Sequence, residues 1–319
     1  TTADKNTAVG FNALVANTTG TCNTAVGALA LDTNTTGRYN SAFGKESLGA
    51  NTTGEENVAV GIHALQVNTT ANKNTAVGAS AMVANTTGAC NTAIGGEALD
   101  ANTTGAQNTA VGFSSLTTNT TGTCNTAIGM YSISTNTTGN NNTAIGRRSL
   151  AENTTADQNT AVGKDALRAN TTGYSNVAIG FCALDTNTTG NRSVAVGEGA
   201  LEKQTTGIIN TGIGNRALCN ITTGDNNIGI GVDAGTDEVG NITTGDNQIV
   251  IGNHNHQNAF IKIDWTVTSD LRDKMNIEEV PHGLDFVNQL NPIKYNFKKS
   301  RENATPHGKA RYGFKAQDI

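Results

Sequence analysis

Side chains that could do covalent chemistry come late in the 319-residue sequence, in the segment Ser269-Asp270-Leu271-Arg272-Asp273-Lys274. A serine becomes a nucleophile only beside a base, and a lysine serves as that base only when burial or neighbours lower its pKa. The spacing alone favours a simpler interpretation. In it, Ser269 caps a short helix and Lys274 is a solvated charge among the ion-pair partners Asp270, Arg272 and Asp273.

A second candidate site is the pair His254 and His256. On a strand, residues i and i+2 share a face, so this spacing would present two imidazoles together. Three chains around one axis would then offer six imidazoles, an octahedral set suited to iron, nickel or zinc. Two histidines in a polar turn are the alternative interpretation. The sequence requires no cofactor elsewhere.

Both candidates follow a long repeat, which must position them. The segment Asn6–Gly10 (Asn-Thr-Ala-Val-Gly) returns with substitutions every 17 residues as far as Asn227, and a last copy, Gln248–Gly252, follows a step of 21. Fixed-period self-similarity of this kind is typical of a solenoid. Numbered from the Asn, position five is Gly in all fifteen copies, position four is Val or Ile except at Phe43, and position nine is Leu in eleven.

This repeat predicts an all-β solenoid, a parallel β-roll of about fifteen coils. Asn-Thr-Ala-Val-Gly is expected to form a five-residue strand, and Ala-Leu at positions eight and nine to open a second strand. Asn-Thr-Thr-Gly is typical of a turn, because the Asn side chain forms local hydrogen bonds and Gly adopts a positive φ. Stacked coils also place each Asn above the next, which predicts amide ladders along the axis.

The core of a single coil is expected to be thin. Each coil offers two sizeable apolar side chains for burial, at positions four and nine, which is little for 17 ordered residues. This shortage of buried apolar surface predicts that several chains associate along their whole length and share a core.

Composition and charge exclude several classes of protein. A net charge of −5 gives no basic surface for nucleic acid, and no apolar run approaches the ~18 residues of a membrane span. Acidic residues such as Glu97, Asp165 and Glu198 are scattered singly. A polysaccharide hydrolase needs paired carboxylates, so this distribution argues against that class of enzyme. The sequence opens at Thr1 with what matches the end of a repeat, so we expect a fragment of a longer protein.

Repeat positions six, seven, sixteen and seventeen vary most, which predicts that they face outward. Aromatic residues at these positions are candidate contacts for a glycan or another surface: Tyr39, Tyr131, Tyr174 and Phe181. A solvated face under no constraint is the alternative interpretation.

The segments Asn176–Gly180 (Asn-Val-Ala-Ile-Gly) and Ser193–Gly197 (Ser-Val-Ala-Val-Gly) resemble the Ser-Val-Ala-Ile-Gly motif of YadA-like head repeats in trimeric adhesins. The resemblance implies a trimer of left-handed parallel β-rolls. The 17-residue period and the Asn-Thr-Thr-Gly insertion depart from that family, whose coils are usually shorter. The resemblance therefore applies better to the strand half of the coil than to the outer turn.

After Thr266 the sequence resembles the start of the intramolecular chaperone domain of phage tail spikes and fibres, of the endosialidase type. Four segments carry the resemblance in order: Ser269–Ile277, Gly283–Pro292 with a short helix over 283–290, the strand Tyr295–Phe297, and Tyr312–Ile319. A small α+β segment is therefore expected here. In that family the domain continues into a longer helical part, so residues 269–319 would be its N-terminal part.

The resemblance also implies an activity. In that family the domain drives trimerisation of a β-structured shaft and then cuts itself off. Carried over, Ser269 is the nucleophile, Lys274 is the assisting base, and the bond between Thr268 and Ser269 is cut. The His254 and His256 pair likewise resembles the His-x-His iron sites near the tips of some phage fibres.

Three segments are thus expected: a repeat shaft over 1–252, a closing strand and junction over 253–268, and the chaperone segment over 269–319. The resemblances imply the homotrimeric shaft of a phage tail fibre or spike. Such a protein is assembled in the host cytoplasm, is carried on the virion, and contacts other tail proteins and a host glycan or protein receptor. A bacterial surface adhesin of the trimeric autotransporter type is the alternative.

Overall fold

Each 17-residue step of the sequence becomes one layer of a parallel sheet. The structure, a computed structural model, describes residues 3–238, 240–257, 292–298 and 306–313. The chain divides into two compact units, Thr1–Ala259 and Phe260–Ile319. The first is an all-β solenoid of about 14 coils, and no helix occurs among the described residues. The predicted fold class is confirmed.

Fifteen three-residue strands form the sheet of the solenoid in chain order. They are β1 (Thr7–Val9), β2 (Thr24–Val26), β3 (Ser41–Phe43), β4 (Val58–Val60), β5 (Thr75–Val77), β6 (Thr92–Ile94), β7 (Thr109–Val111), β8 (Thr126–Ile128), β9 (Thr143–Ile145), β10 (Thr160–Val162), β11 (Val177–Ile179), β12 (Val194–Val196), β13 (Thr211–Ile213), β14 (Ile228–Ile230) and β15 (Ile249–Ile251). Neighbours pair in parallel and in register, so that Ala8 lies opposite Ala25.

The expected five-residue strand is shorter, and the expected second strand is absent from the described coils. The glycine at position five ends each strand with a positive φ, as at Gly10 (+134°), where an added Cβ would lie 2.5 Å from the carbonyl oxygen of Gly27. The Ala-Leu pair lies in a turn instead of a strand, because the leucine is left-handed, as at Leu31 (φ 50°). The bend therefore arises from positive φ at positions five, seven and nine, as at Gly27, Leu29 and Leu31.

The core of each coil holds one large side chain, not the two that we expected. Ala25, Ala30 and Leu31 are fully buried, and the same three positions are buried in most coils. The Val or Ile at position four points away from this core, because the buried alanine at position three sets the alternation of the strand. Position four is therefore available to something outside the chain.

Two ladders of buried asparagines run along the solenoid, as the sequence predicts. In the first, the Asn23 backbone N–H donates to Asn6 Oδ1 at 2.8 Å, and Asn23 Nδ2 donates to the Gly37 carbonyl at 2.8 Å. In the second, Asn51 Nδ2 donates to Asn34 Oδ1 at 2.8 Å and to the Gly54 carbonyl at 3.0 Å. Each amide thus satisfies both its own turn and the neighbouring coil.

The C-terminal unit contains a two-stranded antiparallel sheet, β16 (Ile293–Lys298) with β17 (Pro306–Gly313). The strand predicted over Tyr295–Phe297 is confirmed within β16. The helix predicted over 283–290 and the closing strand predicted around 260–263 lie outside the described residues. Among the residues that the structure describes, no helix is long and apolar enough to cross a bilayer.

Candidate functional sites

The outward side of the solenoid sheet is an uncharged strip, which we call the outer strand face and define by repeat positions two (mostly Thr) and four (mostly Val or Ile). Position four carries exposed Val, Ile or Phe in most layers: Val9, Phe43, Val60, Ile94, Ile128, Ile145, Ile179, Ile213, Ile230 and Ile251. Within the solenoid these side chains stay about two-fifths exposed, as at Ile145 (39%). Positions two and four hold no charged residue in any of the fifteen copies.

The two candidate metal ligands lie in a turn after β15, not on a strand. His254 Nδ1 is 2.8 Å from Asp237 Oδ2, which also accepts the backbone N–H of His254 at 2.9 Å. His256 Nδ1 is 3.0 Å from Asn253 Oδ1. The rings therefore have separate partners. No group of three or more His, Cys, Asp or Glu side chains in the described residues is arranged to hold a metal ion. Metal binding between copies stays a prediction.

The four candidate aromatic residues are exposed, but they do not form one cluster. Tyr39 precedes β3, Tyr131 follows β8, and Tyr174 precedes β11, so at ~4.8 Å per layer they are separated by about 24 and 14 Å along the axis. Tyr131 meets Phe113 edge to face with ring centroids 5.8 Å apart. Each therefore stands as a separate contact.

Two of the aromatic rings lie beneath a cation. The Arg192 guanidinium carbon lies 5.6 Å from the centre of the Tyr174 ring, and Lys164 Nζ lies 5.0 Å from that of Phe181. Both distances are within the range of a cation–π interaction.

Charged side chains on neighbouring coils pair across the layers. Asp165 is buried and accepts two bonds from Arg148, at 2.8 Å from Nε and 3.0 Å from Nη2. Burial raises the pKa of Asp165, but the hydrogen bond and charge of Arg148, together with Lys164, outweigh it, so the net pKa is lowered. Likewise, the hydrogen bond to Asp185 raises the pKa of Arg168. These pairs stabilise the stacking of coils.

One pair of acids is closer in space than the sequence indicates. Asp32 and Glu46 both line a depression of about 400 Å³, which Gly49 opens by carrying no side chain. Glu46 accepts from Gln66 Nε2 at 2.6 Å and contacts Lys45 Nζ at 2.9 Å.

The two carboxyls differ electrostatically. Burial, with a smaller contribution from the charge of Glu46, raises the pKa of Asp32. The hydrogen bond from Lys45 lowers the pKa of Glu46. Repeat positions seven and ten of adjacent coils are thus neighbours, a relation that only the coil geometry reveals.

The residues that the sequence singles out for catalysis, Ser269 and Lys274, lie outside the described residues, as does the Thr268–Ser269 bond. Their roles remain predictions based on the resemblance.

Residues 269–319 match the model of a peptidase family described as the chaperone of endosialidase. No curated protein matches the chain significantly. A parallel β-solenoid followed by such a segment fits a tail-fibre protein with a C-terminal chaperone domain. The resemblance drawn from Ser269 onward is thereby confirmed.

Proposed function

We propose that the chain is the homotrimeric shaft of a phage tail fibre or spike, which attaches the virion to a host surface. Residues 269–319 then begin a chaperone domain that assembles the trimer and releases itself by cleavage between Thr268 and Ser269. The family match at the C-terminus, on a solenoid with an uncharged outer strand face, carries the proposal.

The solenoid supports the assembly part of this proposal. Position four gives the outer strand face a column of Val, Ile or Phe, and exposed contiguous apolar surface marks interaction sites on soluble proteins. A shaft that needs partner chains to cover such a strip has a physical reason to be followed by an assembly domain.

In the proposed cleavage, the Ser269 hydroxyl attacks the carbonyl carbon of Thr268, and Lys274 accepts the hydroxyl proton. The C–N bond between Thr268 and Ser269 then breaks as the Ser269 amine takes up that proton, and water hydrolyses the resulting ester to release the two chains. A lysine does this near neutral pH only where its pKa is lowered. We therefore expect cleavage to follow folding of the domain, because only the folded domain can bury the amine.

The direct test is a denaturing gel of freshly purified protein. The native chain should give two bands, one for residues 1–268 and one beginning at Ser269, whereas Ser269→Ala should give one full-length band. Lys274→Gln should also stay uncut. Ser300→Ala, a serine outside the motif, is the matched control and should cut normally.

A native chain that runs at full length would overturn the self-cleavage. N-terminal sequencing of the smaller band gives the site independently, since a first residue other than Ser269 would contradict the assignment.

For host attachment we propose the exposed aromatic side chains as contacts, with Tyr174 and Phe181 the nearest pair along the chain. Tyr174→Ser and Phe181→Ser should each weaken binding of the shaft to a glycan array, while Thr172→Ser, at an exposed turn position of the same coil, should not. Equal binding by all three variants would exclude these rings as contacts.

A further inference from the structure

Repeat position six, the residue directly after the glycine that ends each strand, forms an exposed column along part of the solenoid. In five consecutive coils this column carries an aromatic residue at each end and two adjacent cations before the last: Phe113, Met130, Arg147, Lys164 and Phe181. All five residues are exposed, with Phe113 at 46% and Phe181 at 47%. We call these five residues the aromatic–cationic column.

The backbone holds the aromatic–cationic column in register. The carbonyl oxygen at position six accepts the N–H at position seven of the next coil, as Phe113 does from Tyr131 at 3.1 Å and Arg147 does from Asp165 at 3.0 Å. At about 4.8 Å per layer, the two aromatic ends lie ~19 Å apart. A small ligand cannot reach both ends, whereas a linear polymer can.

Both cations of the column are available to a ligand. Among the residues that the structure describes, Arg147 has no side-chain hydrogen bond or ion pair. Lys164 Nζ lies 3.5 Å from Asp165 Oδ2 and 5.0 Å from the centre of the Phe181 ring, and its side chain stays 48% exposed. Asp165 is buried and already accepts two bonds from Arg148. The column is therefore a positive surface on a chain whose net charge is −5.

The order of these residues selects the chemistry of the ligand. The apolar face of a sugar ring packs on an aromatic side chain. Carboxylates pair with guanidinium and ammonium groups through charge-assisted hydrogen bonds. A linear chain of sugar rings with carboxylates at intervals satisfies the aromatic ends and the cations together.

Nucleic acid, the other linear polymer with rings and negative charges, fits less well. It carries one phosphate per nucleotide, which is a higher charge density than two cations over ~19 Å can neutralise. Glu97 and Glu198 also lie in the coils on either side of the column and would repel a polyanion that extends beyond it. These acids limit the positive surface to the five coils.

We propose that the aromatic–cationic column binds an acidic polysaccharide, with sugar rings on Phe113 and Phe181 and carboxylates on Arg147 and Lys164. Tyr131, whose ring meets that of Phe113 edge to face at 5.8 Å, supports the first of these ring contacts. The inference rests on the proposed host attachment, and it adds the class of glycan and the coils that bind it.

The test is binding of the whole protein to three uronic acid polymers: polygalacturonate, alginate and hyaluronate. The native chain should bind at least one of them at least tenfold more tightly than the carboxyl-reduced form of the same polymer. A thymidine oligonucleotide should bind more weakly than that acidic polymer. Added salt should weaken the binding, because the cations are exposed to screening.

Substitutions locate the binding on the column. The double variant Arg147→Gln with Lys164→Gln should weaken binding of the acidic polymer at least tenfold and remove most of its salt dependence. Phe181→Ala should weaken binding at least threefold. Position six already holds Ala28, Ala79 and Asn215 in other coils, so these changes suit the fold. Light scattering should give all variants the mass of the native protein.

The chain offers a matched control for each kind of change. Lys73→Gln removes the same charge at an exposed position of another coil, where Gln107 has the same left-handed backbone. Phe11→Ala removes an exposed ring at position six, next to Ala28 instead of a cation. Both controls should bind like the native chain.

Several results would overturn the inference. If the column variants bind as tightly as the two controls, the column is not the site. Tighter binding of the oligonucleotide than of any acidic polymer would assign the column to nucleic acid.

Failure of the inference is distinguishable from failure of the proposed attachment. If the neutral, carboxyl-reduced polymers bind as tightly as the acidic ones, or if only neutral glycans on an array are bound, the inference fails and attachment through glycans stands. If neither the polymers nor the array is bound, both fail.

Discussion

Gln204 reaches into the space beside Ser193 and joins the two asparagine ladders. Ser193 stands where the first ladder has Asn, and Gln204 stands where the second has Asn. Gln204 Nε2 donates to Ser193 Oγ and to Asn187 Oδ1, both at 3.1 Å, while Gln204 Oε1 accepts from Asn210 Nδ2 at 3.0 Å. The longer amide thus compensates for the shorter hydroxyl in the same layer.

This compensation predicts strong coupling between the two positions. Ser193→Asn alone places a second amide in the space that Gln204 fills, and Gln204→Asn alone leaves buried groups without partners. The double variant restores two regular ladders. Each single change should destabilise the solenoid, and the double variant should recover about 1–3 kcal/mol relative to their sum.

Urea unfolding of the four proteins in this double-mutant cycle measures the coupling. Additive effects of the two substitutions on the free energy of unfolding would show that Ser193 and Gln204 are independent. The two ladders would then not be energetically coupled in this layer.

A regular layer of the second ladder should be equally sensitive to truncation. Asn102 Nδ2 donates to Asn85 Oδ1 at 2.8 Å, and Asn102 Oδ1 accepts from Asn119 Nδ2 at 2.9 Å. Asn102→Ala breaks the ladder and leaves a buried donor unpaired on Asn119, which should cost about 2–4 kcal/mol in the free energy of unfolding. Thr121→Ala, at an exposed position of the following turn, should change the unfolding free energy by less than about 0.5 kcal/mol.

The left-handed backbone at position nine predicts an effect of side-chain branching. Ile133 has a φ of 46°, whereas Leu150 has a φ of 52° at the same position, and both are fully buried. A β-branched residue is strained in this conformation. Ile133→Leu should therefore stabilise by about 1 kcal/mol, and Leu150→Ile should destabilise by a similar amount. Thermal unfolding of both variants checks this prediction. Shifts of the two melting temperatures in the same direction would show that packing, not backbone strain, causes the effect.

The Arg148–Asp165 pair predicts a pH dependence. Because the folded pKa of Asp165 lies below its ordinary value of 3.8, its contribution is present above that value and is lost as the pH falls through the folded pKa. Asp165→Asn should cost about 1–2 kcal/mol at pH 7, and the difference from the native chain should shrink below about pH 4. Glu198→Gln, at an exposed acid, is the control, and a pH-independent difference for Asp165→Asn would contradict the assignment.

The period and the chemistry of the repeat predicted the stacking, the ladders and the turn. They did not predict which side of each strand faces the core. Size indicates that the valine of Thr-Ala-Val is buried, yet Ala25 is inside and position four is outside. The fully buried Leu31 at position nine already supplies the large side chain of the coil's core, and strand alternation then turns position four outward.

Contacts between side chains at different repeat positions could likewise not be predicted from the sequence. Ser193 and Gln204 look like two unrelated substitutions until the ladders are known to be adjacent. Asp32 and Glu46 look scattered until Gly49 is seen between coils. The catalytic roles of Ser269 and Lys274 come from the resemblance alone, since spacing by itself favours a helix cap and a solvated charge.

Light scattering on the uncut Ser269→Ala chain tests the central claim of a trimeric shaft most directly. We predict a particle of three times the 32.8 kDa of one chain, at a mass that does not change on dilution through the micromolar range. A particle with the mass of a single chain would contradict the account.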